Sequence, residues 1–339
     1  MKKRLLAMLL AGAMALSLTA CGSEPAKTDD TKTPDTSAEG GDDSAAGGDV
    51  HVGFVVKSLA DQYWVLVQAG AKEAADRLGV KLDFIAPNSE SDVQAQVDMI
   101  QNLVGQKIDV LCLAPSSPDT VIPVLQQADD AGIPVIAVDT DLPTFDKKVS
   151  FIGTGNEAAG KIGGDFAGKL VGEGKNAIIL RGRAGDTTHD QREAGFKAGL
   201  EEAGVNILEI KAADSEAEKG MNVMQDLMNR YDNIDVVCTT ADSMAQGAER
   251  AITNAGKTIP VIGFDGTIPV CEIIAGGSDV MVGTVAQSPY KMGQLGVENA
   301  VKLAKGETIE DRIDSGAEMV SAENAADFVA NLKELVGES

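Results

Sequence analysis

From residue 50 onward the chain alternates short apolar runs with longer stretches in which apolar residues recur every three or four positions. The runs at 50–56 (VHVGFVV), 81–85, 109–113, 134–138 and 149–152 predict one series of strands. Runs at 176–180, 206–210, 235–238, 260–263 and 280–285 predict a second series. The spacing between them predicts helices over 63–78, 91–104, 118–131, 155–171, 189–203, 216–230, 243–254 and 289–304. In the first of these, Leu66, Ala69, Ala74 and Leu78 share a face, and Gly79 follows as a stop signal. Strand runs that are apolar on both faces need helices above and below. The pattern therefore predicts an α/β protein with mostly parallel sheets. Two series predict two sheets in two lobes. The helix that opens near 289, after the second series is complete, predicts a return of the chain to the first lobe.

Parallel sheets of this kind place ligand-binding loops beyond the carboxyl ends of their strands. Lys57 and Ser58 follow VGFVV, Asp139 follows VIAV, Asp242 lies just past VVCTT, and Asp265 follows VIGF. Carboxylates at such points also cap helices and turns, and the two roles are compatible. Asp139 and Asp265 belong to different series, so their carboxylates are expected to face one cleft.

Composition narrows the partners. The chain has 339 residues, enough for two cores, and 44% of them are apolar. Its formal charge of −23, from 52 acidic and 29 basic residues, repels phosphate backbones and excludes nucleic acid as a partner. Aromatics make up only 4%, so the pair Tyr63-Trp64, which holds the sole tryptophan, stands out. Residues 1–20 read as an export signal, with Lys2, Lys3 and Arg4 ahead of an apolar stretch too short to span a bilayer. Leu18-Thr19-Ala20-Cys21 at its end resembles a lipobox, which makes Cys21 the expected lipidation site. Residues 21–49 are acidic and lack large apolar side chains, the composition of a disordered tether. Cys112, Cys238 and Cys271 lie in apolar contexts and read as small buried hydrophobes rather than as metal ligands or disulfide partners. No metal site, cofactor motif, G-x-S-x-G elbow or P-loop is present, and no enzyme is predicted. Of two histidines, His51 begins a strand and is expected to be peripheral, whereas His189, beside Asp190, is a candidate for the rim of the cleft.

Several stretches, in order, resemble the periplasmic sugar-binding proteins of ABC importers, nearest to their ribose-binding branch. They include VGFVVKSLADQYW, IDVLCLAPSSPDTVIPVLQQADDAGIPVIAVDT, GNEAAGKIGGDFAGKLVGEGK, QREAGFKAGL and VIGFDGT. The resemblance covers nearly all of 50–305. It implies the type 1 periplasmic binding protein fold, two α/β lobes joined by three crossover segments, with one lobe at 50–153 plus 287–315 and the other at 154–286 plus 316–339. DNA-binding repressors of the lac-repressor family share that fold, but here a signal and an acidic linker occupy the place of their helix-turn-helix.

The resemblance also assigns contacts. Tyr63 and Trp64 match paired aromatics that stack on the sugar. Asp139 and Asp265 match carboxylates that accept hydrogen bonds from neighbouring hydroxyls. Arg192 matches an arginine donating to ligand oxygens, and Gln287 matches a glutamine at a crossover. Five positions depart from the ribose pattern: Lys57 stands in place of a serine, Asp61 of an asparagine, Thr140 of a second arginine, Ser215 of a third aromatic and Ala241 of an asparagine. A hydroxyl-reading site rejects ligands that leave its polar groups unpaired. The changes therefore argue against D-ribose and leave a hexose, a substituted sugar, a polyol or a nucleoside-like ligand open. The implied protein is a monomer that delivers its ligand to an ABC permease, or reports it to a chemoreceptor or membrane histidine kinase.

Overall fold

Val52, Phe54, Val55, Leu111, Ile136 and Val138 have no solvent exposure. Strands this apolar require cover on both faces. In the computed structural model, which describes residues 50–337 except Asp61 and Ala184, they lie in the first of two six-stranded sheets. That sheet is built from β1 (His51–Val55), β2 (Lys81–Ile85), β3 (Val110–Leu113), β4 (Val135–Val138), β5 (Ser150–Gly153) and β11 (Arg312–Asp314), in the order β11-β5-β4-β3-β1-β2. All its pairings are parallel. The second sheet holds β6 (Asn176–Arg181), β7 (Asn206–Ala212), β8 (Val236–Thr239), β9 (Val261–Asp265), β10 (Met281–Gln287) and β12 (Ala317–Ser321), in the order β12-β10-β9-β8-β6-β7. Only its edge strand β12 is antiparallel.

Helices α1 (Gln62–Leu78), α2 (Val93–Gly105), α3 (Ile122–Asp130) and α9 (Pro289–Ala304) attend the first sheet; α4 (Asn156–Val171), α5 (Thr187–Glu202), α6 (Ala217–Arg230), α7 (Asp242–Asn254), α8 (Ile268–Ala275) and α10 (Ala325–Leu335) attend the second. The chain passes between sheets three times: from β5 to α4, from β10 to α9, and from β11 to β12. The leader, the candidate lipidation site Cys21 and the tether lie outside the described residues. Cys112, Cys238 and Cys271 are buried free thiols. Among the described residues no helix is long and apolar enough to cross a membrane.

The periodic reading did not foresee α8, β11, β12 or α10. Helix α8 is short and apolar on most sides, so its pattern has no face, and short apolar runs do not separate helix from strand. Strand β11 has three residues, too few to alternate legibly.

Glycine sets how closely α4 and α5 approach. A Cβ at Gly164 would lie 2.5 Å from the carbonyl oxygen of Phe196, and one at Gly160 would collide with that of Arg192. The two helices touch backbone to backbone, and this contact seats the residue that carries the Arg192 guanidinium. Gly105, at the end of α2, has open space around it. Gly160→Ala should therefore cost about 1–3 kcal/mol in urea unfolding by overpacking, whereas Gly105→Ala should be neutral or gain up to about 1 kcal/mol. Equal effects of the two would show that the α4–α5 contact is not close-packed.

Candidate functional site

The carboxyl ends of both sheets open on one cleft. On the first wall, β1 delivers Lys57 and α1 delivers Tyr63 and Trp64, while β4 ends in Asp139. Asp139 has a positive φ of 61°, a backbone state that side chains other than glycine's rarely adopt. Its N–H donates to the Ile152 carbonyl over 2.8 Å, which anchors that conformation to β5. The Asp139 carboxylate accepts from the Tyr63 hydroxyl (2.7 Å) and from the Thr140 hydroxyl (2.8 Å). Lys57 Nζ lies 3.8 Å from it and 5.5 Å from the Trp64 ring centre. The Tyr63 phenol is pushed well above its ordinary pKa by burial and then by Asp139, so it stays protonated as a donor. Trp64 is only 3% exposed and packs in the first lobe's core. Its indole N–H donates to Glu90 over 2.9 Å, so that donor is engaged within the protein.

The second wall is organised around Arg192, 7% exposed, on α5. Its Nη1 donates to Asp265 Oδ1 (3.0 Å) and the Thr240 carbonyl (3.1 Å), and its Nε to Asn156 Oδ1 (2.8 Å). The guanidinium carbon sits 4.0 Å from the Phe264 ring centre. Asp265, with φ at 129°, also accepts from Gln287 Nε2 over 2.9 Å. Gln287 in turn accepts from the Thr154 hydroxyl over 2.8 Å. Burial raises the pKa of the Asp265 carboxyl, against the pull of Arg192. His189 Nδ1 lies 2.8 Å from the Thr240 hydroxyl and Nε2 lies 2.9 Å from that of Ser215. Burial, then the Arg192 charge, lowers this imidazole to about 4, which leaves it neutral near pH 7.

Between the walls lies a compartment of 900 Å³, lined by Lys57, Tyr63, Trp64, Asp139, Thr140, His189, Arg192, Asp265 and Gln287 among the residues foreseen from sequence. Ser58 and Asp242 line a smaller adjoining space. Ser215 and Ala241 line neither: Ser215 is bonded to His189, and Ala241 precedes α7, 6% exposed. Asp61 lies outside the described residues. His51 pairs with Asp83 at the start of β1, the end opposite the cleft. Sequence reasoning missed Glu90, Thr154, Asn156 and Thr240. Asn156 is the first residue of α4, beside Glu157 in an ordinary polar helix start, and Glu90 lies in an ordinary polar loop. Among the described residues no cluster of three acidic, histidine or cysteine side chains could hold a metal ion.

Asp242 fills a structural place. Its carboxylate accepts from the Thr267 N–H (2.8 Å), the Thr267 hydroxyl (2.9 Å) and the Thr284 hydroxyl (2.7 Å), tying α7 to the start of α8 and to β10. Burial, then the Asp265 charge, pushes its pKa up to about 7. An unfolded aspartate releases its proton near pH 4. Between about pH 4 and 7 the folded state thus holds a proton that the unfolded chain has lost, and stability falls as pH rises through that window. Asp242→Asn, which mimics the protonated acid, should lose part of this decline in urea titrations at pH 4.5 and 7.5. Parallel pH profiles for the two proteins would contradict the assignment.

Comparisons with known proteins agree with this architecture. Residues 52–308 match the family described as Periplasmic binding protein domain. The ribose import binding protein RbsB of Escherichia coli is 34% identical over 260 residues, which cover 76% of this chain and 86% of that protein. A D-ribose/D-allose-binding protein of Pseudomonas aeruginosa is 29% identical over 278 residues, 79% of this chain and 86% of that one. The solved structure of a periplasmic ribose ABC transporter protein from Conexibacter woesei superposes with a TM-score of 0.79, covering 87% of this chain and 99% of that chain; at 21% identity it speaks for the fold. The chain belongs to the periplasmic binding protein family and has its two-lobed type 1 fold.

Proposed function

We propose that this protein captures a sugar or related polyhydroxylated molecule between its lobes, outside the cytoplasm, and delivers it to an ABC permease. The observation that carries the reading is the placement of Asp139 and Asp265, one at the end of a strand in each sheet, around one cavity with Tyr63 between their environments. Each carboxylate is partly engaged by protein donors and keeps acceptor capacity for ligand hydroxyls. Lys57, Arg192 and Gln287 supply donors nearby, and Tyr63 and Trp64 supply aromatic surface. The E. coli and P. aeruginosa relatives are named for ribose and for ribose or allose, which supports a sugar as the ligand class.

The lobes are assigned as 50–153 with 287–315 and 154–286 with 316–339. Ligand contacts from both favour a closed form, because a ligand shifts the open–closed equilibrium by its difference in affinity for the two. The closed form is the one that docks on the permease. Cys21 anchors the protein to the membrane by acylation, and residues 22–49 act as the tether.

Thermal-shift screening of the full chain against pentoses, hexoses, polyols and nucleosides identifies the ligand, since binding to the folded state raises its apparent stability. With that ligand, Asp139→Ala and Asp265→Ala should each weaken affinity by roughly 10- to 150-fold, the loss of about 1.5–3 kcal/mol for a hydrogen bond to a charged group. Unchanged affinity in both variants would remove the site assignment. Replacing Cys21 by serine should move the protein from the membrane fraction to the soluble extracytoplasmic fraction; retention on membranes would refute the anchor.

A further inference from the structure

The cleft does not end at Tyr63. Beyond it a second compartment of 670 Å³ opens, sharing Tyr63, Glu90, Asp265, Thr267 and Gln287 with the larger one as a common border. Past that border Ser58, Gln62, Asn88, Ser89, Ser243 and Gln246 still line one part, but the remainder is apolar. Leu66 comes from α1, Ile268 and Pro269 from α8, Pro289 from α9, and Phe328 and Leu332 from α10. Asp242 also reaches this wall, but its carboxylate is bonded back to Thr267 and Thr284. Glu90, on the border, accepts from the Trp64 indole. The charged groups bordering the space are thus tied to protein partners, and much of the wall is hydrocarbon.

Two features give the space a meaning beyond a gap between lobes. It adjoins the compartment that holds the polar site, with five lining residues in common. It is also completed by Phe328 and Leu332 on α10, C-terminal to the 52–308 stretch that the family match covers. This C-terminal helix packs on α8 of the second lobe and meets α1 of the first, where Leu66 joins the second lobe's core at 4% exposure. Phe328 is only partly buried there. Water against such a wall forms few hydrogen bonds, and its displacement by apolar surface is favourable.

Building on the sugar-binding reading, we propose that the cleft takes a polyhydroxylated ring bearing an apolar substituent, such as an aryl or branched alkyl glycoside. The ring lies in the larger compartment among Asp139, Arg192 and Asp265. The substituent lies in the smaller one against Leu66, Ile268, Phe328 and Leu332. The combined space exceeds what one unsubstituted ring fills, and the polarity of the two parts divides as such a ligand does.

The test is calorimetric titration of the full chain, reconstituted in phospholipid nanodiscs, with D-ribose, D-allose, D-glucose and D-galactose and with the methyl and phenyl glycoside of each. For the sugar that binds, the phenyl glycoside should bind at least tenfold more tightly than the methyl glycoside. The double substitution Phe328→Ser, Leu332→Ser should abolish that gain and leave the methyl glycoside's Kd within twofold. Because this change could disturb α10, Gln246→Trp is the second variant: it fills the compartment from α7, leaves the α10 side chains in place, and should abolish the same gain. A phenyl glycoside that binds no better than the methyl glycoside, or a gain that survives Gln246→Trp, overturns the proposal while the sugar site stands. A disaccharide such as cellobiose or lactose binding more tightly than the phenyl glycosides also overturns it, in favour of a second sugar subsite. Absence of binding by every free sugar and glycoside overturns the sugar-binding reading and this inference with it.

Discussion

A buried guanidinium dictates much of the site. Arg192 is almost wholly removed from water, and an unpaired charge in that position would cost several kcal/mol. The protein meets it with a carboxylate from β9, an amide oxygen from the start of α4, a main-chain carbonyl after β8 and the face of Phe264. The partners of those partners lie at the crossings: Asp265 is held by Gln287 at the end of β10, and Gln287 by Thr154 after β5. Satisfying one charge therefore also sets the first two passages between the sheets relative to this wall of the cleft. The backbone contact of Gly160 with Arg192 completes the arrangement by fixing where the side chain begins.

The two cleft aspartates carry backbone strain. Asp139 and Asp265 both hold positive φ at the ends of their strands, a state that costs on the order of 1–3 kcal/mol per residue and persists only where surroundings enforce it. Enforcement comes from β5 for Asp139 and from Arg192 and Gln287 for Asp265. This strain turns each carboxylate off the strand axis and over the cleft, so both are oriented by the protein's own bonds. Hydrogen bonds tie the three crossings to one another, through Thr154–Gln287, Gly155–Asp314 and Ser315–Gly153, the arrangement expected of a hinge.

Much of this was legible along the chain because parallel strands buried on both faces leave continuous apolar runs, and because helices on such sheets repeat every three to four residues. VLCL, VIAV and VVCT needed no tertiary information to be read as strands. Strand-end chemistry singled out Lys57, Asp139 and Asp265 for the same reason: where a parallel strand stops, its next side chain faces the ligand side. Glu90 and Thr154 left no such trace. Their importance lies in partners 26 and 133 residues away, Trp64 and Gln287, and a loop glutamate or a lone threonine has no periodicity to reveal that. Asp242 shows the opposite case: a strand-end carboxylate whose lone pairs are taken by threonines from two other elements.

The sequence by itself determined the class of fold, the two series of strands and the polar and aromatic residues at their ends, because these depend on local period and side-chain type. It also carried the family resemblance that the comparisons later matched. Only the tertiary structure decided which sheet β11, β12 and α10 join, which carboxylates are spent on protein donors, and that an apolar compartment adjoins the polar one. Those outcomes depend on which distant side chains share a volume and compete for the same hydrogen bonds, and no period along a single chain encodes that.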